Sequence, residues 1–268
     1  MALTVCTWNV NSIRLRLSHL DRLVEALAPD VLCLQETKVR DELFPLLELA
    51  AHGYVHTALH GMKGYNGVAI LSRKPLEDVQ TQSWCGREDC RHISARIDGI
   101  DVHNLYIPAG GDIPDAEVNP KFAHKLQFLD DLAEWFAGTF GRSDPMVLVG
   151  DLNVAPLETD VWDHKRLSRI ITHTPTEIAR LNRLQNALGW VDVARRFVPP
   201  DEHLFTWWSY RQGANGTDWR TVNRGRRLDH IWATAPVAAT ATRFEVLTDA
   251  RDWLPPSDHV PVVATFGE

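Results

Sequence analysis

Short apolar runs recur along the whole chain, and polar residues stand directly beside them. Runs rich in Val, Ile and Leu are typical of buried β-strands. We predict strands at residues 3–8, 31–34, 102–105, 146–149, 228–232 and 260–266. The neighbouring polar residues would then lie at strand ends, where side chains from several strands can meet.

Two stretches between these strands carry apolar residues at helical spacing. Leu and Val recur every three or four residues over residues 17–27, with Ser12 as the candidate N-cap, and Phe and Leu do so over residues 122–136. We interpret both as helices that cover a sheet. Short turns at residues 60–67 and 98–101 join successive strands, which predicts mixed rather than purely parallel sheets. An α/β sandwich therefore fits better than a doubly wound sheet.

The sequence indicates one domain that spans residues 1–268. A chain of 268 residues with 44% hydrophobic residues can bury a sizeable core, and no linker or internal repeat divides it. No apolar run is long enough to span a membrane, and the chain enters a predicted strand at residue 3 without a signal-peptide pattern. We therefore expect a cytoplasmic protein with no membrane partner.

The cysteines predict neither a disulfide framework nor a structural zinc site. Cys6, Cys33, Cys85 and Cys90 form no CxxC pair. Cys6 and Cys33 also lie within predicted strands, where a thiol behaves as a small apolar group.

Charge alone leaves the partner open. A formal net charge of −7 argues at first against nucleic acid, because phosphate binding usually comes with a basic excess. However, carboxylates gathered around a metal ion lower the bulk charge without excluding DNA. Arg220, Arg224, Arg226 and Arg227 form a basic stretch that fits a solvated loop and a phosphate-facing loop equally well.

The polar residues at the strand ends form a set with a shared chemistry. They are Asn9, Glu36, Tyr106, Asp151 with Asn153, Asp229, and Asp258 with His259. A single Asp after a strand is usually a turn or helix cap, so no member is informative alone. Together they offer carboxylates for Mg²⁺, a His/Asp combination for proton transfer, and carboxamides that hold phosphate oxygens.

The ordered motifs resemble exonuclease III and the related abasic-site endonucleases, within the endonuclease/exonuclease/phosphatase superfamily. The matching segments are residues 7–14, 34–38, 64–73, 106–108, 150–154, 227–229 and 257–261. They span nearly the whole chain in the order of the family. The Gln-Glu-Thr-Lys, Gly-Asp-Leu-Asn and Ser-Asp-His-x-Pro forms favour its DNA-repair branch.

The resemblance implies a four-layered α/β sandwich, in which two facing mixed β-sheets are flanked by helices and the active site lies at one rim. Glu36 resembles the principal metal ligand, with Asp258 and Asn9 nearby. Asp151 resembles the general base or acid, and Asn153 the group that steadies the scissile phosphate. Both also count as candidate metal ligands. The implied cofactor is Mg²⁺, with Mn²⁺ as a substitute.

Further roles follow from the same resemblance. His259 resembles a phosphate-contacting histidine held by Asp229. Tyr106 resembles a phenol near the phosphate, and Arg91 an arginine that contacts it. Whether Asp151 or His259 activates the attacking water stays open at this stage.

Recognition of an abasic site requires a wall that accepts a sugar without a base. Trp207 and Leu228 are the candidates for this wall, although Trp207 fits the core equally well, and Trp208 is expected in the core. Lys38, Arg14 and Tyr65 match positions that contact the DNA backbone in this family.

The implied function is hydrolysis of double-stranded DNA on the 5′ side of abasic sites, with 3′-to-5′ exonuclease and 3′-phosphatase activity at blocked ends, by a monomer. Two departures from the family pattern are Ala109, where relatives carry an amide, and a polar loop at residues 211–224. The alternatives are a phosphatase or phospholipase of the same superfamily and a catalytically silent nucleic-acid-binding module.

Overall fold

A six-stranded sheet in the computed structural model, which describes residues 2–210 and 218–267, joins the two ends of the chain. Its strands are β1 Leu3–Asn9, β2 Val31–Gln35, β3 His56–His60, β4 Val68–Ser72, β11 Ala241–Val246 and β12 Val262–Phe266. The order is β11-β12-β1-β2-β4-β3, and β1 and β2 are the parallel pair. Because Asn9 pairs with Gln35, the exits of β1 and β2 reach the same edge.

The second sheet brings three predicted site residues side by side. Its strands are β5 Glu77–Thr81, β6 His92–Ile97, β7 Ile100–Tyr106, β8 Met146–Asp151, β9 Val191–Asp192 and β10 Asp229–Ala233. The order is β5-β6-β7-β8-β10-β9, with β7 and β8 parallel. Asp151 pairs with Tyr106 on one side and with Asp229 on the other.

Helices flank the two sheets. They are α1 Ile13–Arg16, α2 Leu20–Leu27, α3 Leu46–Ala51, α4 Pro120–Thr139, α5 His164–Leu167, α6 Pro175–Leu188, α7 Ala194–Phe197, α8 Trp219–Val222 and α9 Ala235–Ala238. Short 3₁₀ turns are Leu17–His19, Asp41–Leu43, Glu158–Asp160 and Thr248–Asp252. None of the described helices is long and apolar enough to cross a membrane.

Strand periodicity divides the core into three apolar layers. On β1, Val5 packs between the sheets, whereas Cys6 and Trp8 pack outward beneath α2. Beyond the second sheet, α4 and α6 bury side chains such as Leu129 and Leu184. The predicted four-layered sandwich with two mixed sheets is confirmed.

The predicted helix at residues 122–136 is also confirmed, whereas Ser12 occupies the N-cap position of α1 without forming a capping bond. Ser12 has φ 87° and makes no side-chain capping bond, and the segment splits into α1, a 3₁₀ turn and α2. In contrast, Asn119 caps α4 by accepting a hydrogen bond from the Lys121 backbone N–H, before Pro120 at the first turn.

Gly150 allows β7 and β8 to approach closely just before Asp151. Its φ is 139°, and a Cβ atom at this position would collide with the carbonyl oxygen of Leu105. A side chain here would push Asp151 away from its neighbours on β7.

A buried ion-pair cluster ties the loop before α5 to β10. Asp160 is fully buried and accepts two hydrogen bonds from Arg227, at 2.7 and 3.0 Å, and one from Arg195 at 2.5 Å. Burial raises the pKa of Asp160, but these guanidinium groups lower it below its ordinary value. The cluster therefore stabilises the folded state at neutral pH, and this stabilisation is lost as the pH falls through the folded-state pKa.

Asp160→Asn is expected to lower the free energy of unfolding by about 3–5 kcal/mol at neutral pH, because it removes the buried carboxylate that Arg195 and Arg227 share and leaves Arg227 paired with Asp192. Urea unfolding at a series of pH values measures this, and the difference from the wild type should shrink as the pH falls. The control Asp130→Asn breaks half-exposed pairs and should cost less than about 1 kcal/mol. Equal losses for the two variants would contradict the prediction.

Candidate active site

The edges of both sheets open into one cavity of about 520 Å³ that collects most of the predicted site residues. Its lining includes Glu36, Tyr106, Asp151, Asn153, Trp207, Leu228, Asp258 and His259. These residues are distant in sequence, and the strand exits bring them together.

His259 lies between two carboxylates at the base of this cavity. Its Nδ1 is 2.8 Å from Asp229 Oδ2, and its Nε2 is 3.6 Å from Asp151 Oδ2. Burial by itself lowers the pKa of His259, but Asp229 and Asp151 outweigh it and raise the pKa to about 10. The imidazole therefore carries a positive charge at neutral pH.

Asp151 is buried and held by two carboxamides. Its Oδ2 accepts hydrogen bonds from Asn9 Nδ2 at 2.9 Å and from Asn153 Nδ2 at 3.1 Å, and its Oδ1 accepts from the Asn153 backbone N–H at 3.0 Å. Burial raises the pKa of Asp151 above its ordinary value, against the opposing charge of His259. A carboxylate with a raised pKa beside a charged imidazole is suited to exchange a proton.

Glu36 faces Asp151 across the shared amide of Asn9. Its Oε1 accepts from Asn9 Nδ2 at 2.9 Å and from the Tyr106 hydroxyl at 2.8 Å, while its Oε2 is 2.7 Å from Lys38 Nζ. Burial raises the pKa of Glu36, but Asn9 and Lys38 lower it below its ordinary value. The group is therefore ionised and already holds one cation.

The backbone at these strand exits is unusual. Glu36, Lys38 and Asn153 have φ values of 51°, 54° and 53°, in the left-handed region that side chains other than Gly seldom adopt. Such conformations persist where the surroundings enforce them, and they cluster at functional sites.

Asp258 points its carboxylate towards the same cavity. Its Oδ1 accepts from Asn11 Nδ2 at 3.1 Å, and its Oδ2 accepts from Trp207 Nε1 at 3.0 Å. Although burial raises the pKa of Asp258, His259 and Trp207 lower it below its ordinary value. The cavity thus contains ionised oxygen donors of the kind that hard divalent cations prefer.

Two positions for a cation compete within this cluster. The ligand atoms of Asp151, Asp229 and His259 lie within 4.8 Å of one another, the one such group among the described residues. Glu36 and Asp258 place two further ionised carboxylates on the same cavity lining. A cation held by these two residues stays a prediction.

Trp207 and Leu228 both line the cavity, and Trp207 also packs against the small apolar cluster that contains Leu228, so both parts of the prediction for Trp207 apply. Trp208 is 3% exposed and packs in the core, as expected. Thr206, which sequence reasoning missed, donates its hydroxyl to Asp229 Oδ2 at 2.6 Å and so fixes the partner of His259. An isolated Thr beside aromatic residues gave no signal of this role.

Two of the three predicted DNA-contacting residues line one cavity. Arg14 and Lys38 line a second, basic cavity of about 290 Å³ together with Arg40 and Lys63. Tyr65 is 59% exposed.

Arg91 is buried and does not belong to the cavity lining. It donates to Asp89 at 2.5 Å and to the Tyr106 carbonyl at 3.2 Å, and its guanidinium lies 4.7 Å from the centre of the Tyr106 ring. These contacts hold the backbone and the ring of Tyr106 in position. A direct contact of Arg91 with phosphate stays a prediction.

The four arginines of the basic stretch lie in different surroundings, so neither a solvated loop nor a phosphate-facing loop describes all of them. Arg227 is buried in the ion-pair cluster, and Arg220 pairs with acidic surface residues. Arg224 lies over the ring of Trp162, and Arg226 lines the active-site cavity. Of the predicted polar loop at residues 211–224, residues 211–217 lie outside the described residues, and the remainder contains α8.

The layered fold and the ionised rim define a class of protein. The chain belongs to the endonuclease/exonuclease/phosphatase family, whose sequence model matches residues 6–259.

Within this family, the chain is similar to proteins that act on nucleic acids. It is 31% identical to exodeoxyribonuclease III of Haemophilus influenzae over 97% of this chain and 98% of that protein. It is 36% identical to an AP endonuclease from Archaeoglobus fulgidus, with a TM-score of 0.90 and coverage of 98% and 99%. It is 33% identical to the 3′-5′ exonuclease NExo from Neisseria meningitidis, with a TM-score of 0.89 and coverage of 99% and 100%.

Proposed function

We propose that this protein is a metal-dependent DNA repair nuclease that hydrolyses the phosphodiester on the 5′ side of an abasic site and trims blocked 3′ ends. The observation that carries the proposal is the arrangement of Asp151 between charged His259 and Asn153, facing Glu36 in one cavity. The names of the relatives, exodeoxyribonuclease III, AP endonuclease and 3′-5′ exonuclease, support the substrate. A further Neisseria NExo structure, described as a 3′ phosphatase bound to a product DNA hairpin, supports action at 3′ ends.

Each residue contributes one part of the hydrolysis. Asp151, when ionised, accepts the proton of the attacking water. Protonated His259, held by Asp229, donates to a phosphate oxygen and stabilises the charge that develops there. Asn153 and Tyr106 fix the position of this phosphate by hydrogen bonding.

The donor set fits a hard divalent cation, and we assign Mg²⁺ to Glu36 and Asp258, with Asn9, Asp151 and Asn153 close to it. Lys38 Nζ lies 2.7 Å from Glu36 Oε2 and marks a position that accepts positive charge. When bound, the cation supplies charge neutralisation for the phosphate and the leaving 3′-oxygen. Mn²⁺ is the expected substitute.

The competing assignments differ in substrate or in activity. A phosphatase or phospholipase of the same family would share the ionised rim, and a silent binding module would not require it. The intact pairing of His259 with Asp229 and Asp151 favours an active enzyme. Monomeric state and cytoplasmic location stay predictions.

The purified protein with millimolar Mg²⁺ is expected to cut a duplex that contains an abasic analogue on its 5′ side, and EDTA should abolish this cleavage. Gel analysis of a 5′-labelled strand measures the product. An undamaged duplex of the same sequence is the control for specificity. Turnover of inositol phosphates or lipids without DNA cleavage would reject the assignment to DNA.

A further inference from the structure

Arg226 places a guanidinium group on the wall of the active-site cavity. Its backbone pairs with Trp207 through hydrogen bonds of 3.0 Å in both directions, which brings the two side chains together. The guanidinium carbon lies 5.2 Å from the centre of the Trp207 ring. Arg226 and Trp207 both line the cavity, together with Leu228. The cavity wall formed by Trp207 and Leu228 therefore also carries a cation.

Contacts behind the wall hold this cation in place. Arg226 Nη1 donates to the carbonyl oxygen of Ile171 at 3.1 Å and to the hydroxyl of Thr172 at 2.8 Å. Thr172 is itself fixed, because its backbone N–H donates to both carboxylate oxygens of Glu177 at 3.0 Å. The guanidinium is thus preorganised rather than free to swing into solvent.

Part of its donor capacity is not used. Arg226 Nη2 makes no hydrogen bond to any residue that the structure describes, and Nε is buried without a partner. Among the residues that line the cavity, Arg226 is the one Lys or Arg, whereas Glu36, Asp151 and Asp258 are acidic. A donor in this position is suited to oxygen atoms of a ligand.

We infer that Arg226 selects the substrate by donating from Nη2 to the oxygen-rich deoxyribose-phosphate unit that follows the scissile phosphate. The guanidinium covers one face of the Trp207 ring, so a base cannot stack on that face. A unit without a base exposes its sugar oxygens to the same donor. This inference rests on the proposed function and adds a determinant of its preference for abasic DNA.

Two substrates distinguish a role of Arg226 in recognising the abasic unit from a role that every substrate would require. In an internal abasic site, the sugar beyond the scissile phosphate can reach the wall at Arg226. A terminal 3′-phosphate ends at the scissile phosphorus and has no sugar beyond it. Loss of Arg226 should therefore affect the first substrate and spare the second.

The test compares kcat/KM on one duplex sequence prepared with an internal tetrahydrofuran abasic analogue or with a terminal 3′-phosphate. Arg226→Met is expected to lower the value for the abasic duplex by about tenfold or more, as for loss of a hydrogen bond to a charged donor. The value for the 3′-phosphate should stay within about threefold. Arg226→Lys keeps a cation and should recover part of the abasic activity. Melting temperatures establish that each variant is folded.

The controls identify what causes a loss. Arg243→Met removes an arginine of strand β11 that pairs with Glu245, and both activities should stay at the wild-type level. Thr172→Val removes one contact of Nη1 but leaves Nη2, so it should change the ratio of the two activities less than Arg226→Met does.

A parallel fall on both substrates in Arg226→Met, or an unchanged abasic activity in that variant, would overturn the inference. Failure of the wild type on both duplexes would instead overturn the proposed function, and the inference with it.

Discussion

Asp151→Asn is expected to lower kcat for abasic-site cleavage by about 10²-fold or more while leaving the affinity for DNA largely unchanged. Asn fills the same space between Asn9, Asn153 and His259 but cannot accept a proton from water. Because burial raises the pKa of Asp151, wild-type activity should rise with pH as this group ionises, and the residual activity of the variant should lose that rise. Single-turnover cleavage and fluorescence anisotropy measure the two quantities.

A matched control removes a carboxylate elsewhere. Asp98→Asn, in the turn between β6 and β7, breaks a surface pair with Lys74 and should leave both quantities unchanged. A loss of DNA affinity in Asp151→Asn as large as the loss of rate would make Asp151 an anchor for substrate or metal instead of the proton acceptor.

Glu36→Gln is expected to weaken metal binding by about tenfold or more, because the number of charged oxygen ligands sets the affinity of such a site. The glutamine oxygen can still accept from Asn9 and Tyr106, so the shape of the rim is retained. The Mg²⁺ concentration for half-maximal cleavage should increase by the same factor. Electron paramagnetic resonance of added Mn²⁺ gives a measure of binding that does not depend on activity.

A second substitution distinguishes the two cation positions. If a metal were held by Asp151, Asp229 and His259, Asp229→Asn would weaken Mn²⁺ binding and Glu36→Gln would not. We expect the reverse order of effects. Glu48→Gln, on the exposed face of α3, is the control that should leave Mn²⁺ binding unchanged.

The strands and the residues at their ends could be predicted because each depends on a few neighbouring residues, namely an apolar run and the polar residues that follow it. The run that ends at Asp151 needed no tertiary information, since buried strands and their polar exits carry a direct signal. Ser12 occupies the N-cap position but forms no capping bond, because such a bond depends on backbone geometry and Ser12 has φ 87°. Composition cannot reveal such a conformation.

The contacts between site residues were harder to predict than the residues themselves. The link of His259 to Asp229 followed from the family resemblance, but the support of Asp229 by Thr206 depends on a bridge between distant loops. Arg226 was visible only as part of a basic stretch. Its neighbour Arg227 lies in a buried ion-pair cluster, whereas Arg226 faces the cavity. Successive side chains of extended backbone point to opposite sides, and a count of charges does not show which side each one takes.

The central position of β12 beside β1 has a consequence for biosynthesis. Trp8 donates its indole N–H to the carbonyl of His259 at 3.1 Å, and Ser257 donates its hydroxyl to the carbonyl of Asn9 at 2.8 Å. Residues that are 251 and 248 positions apart in the chain therefore interlock to make the reactive rim. A nascent polypeptide still short of residue 259 lacks the charged imidazole, so cleavage competence arises only once synthesis has passed that point and β12 has docked.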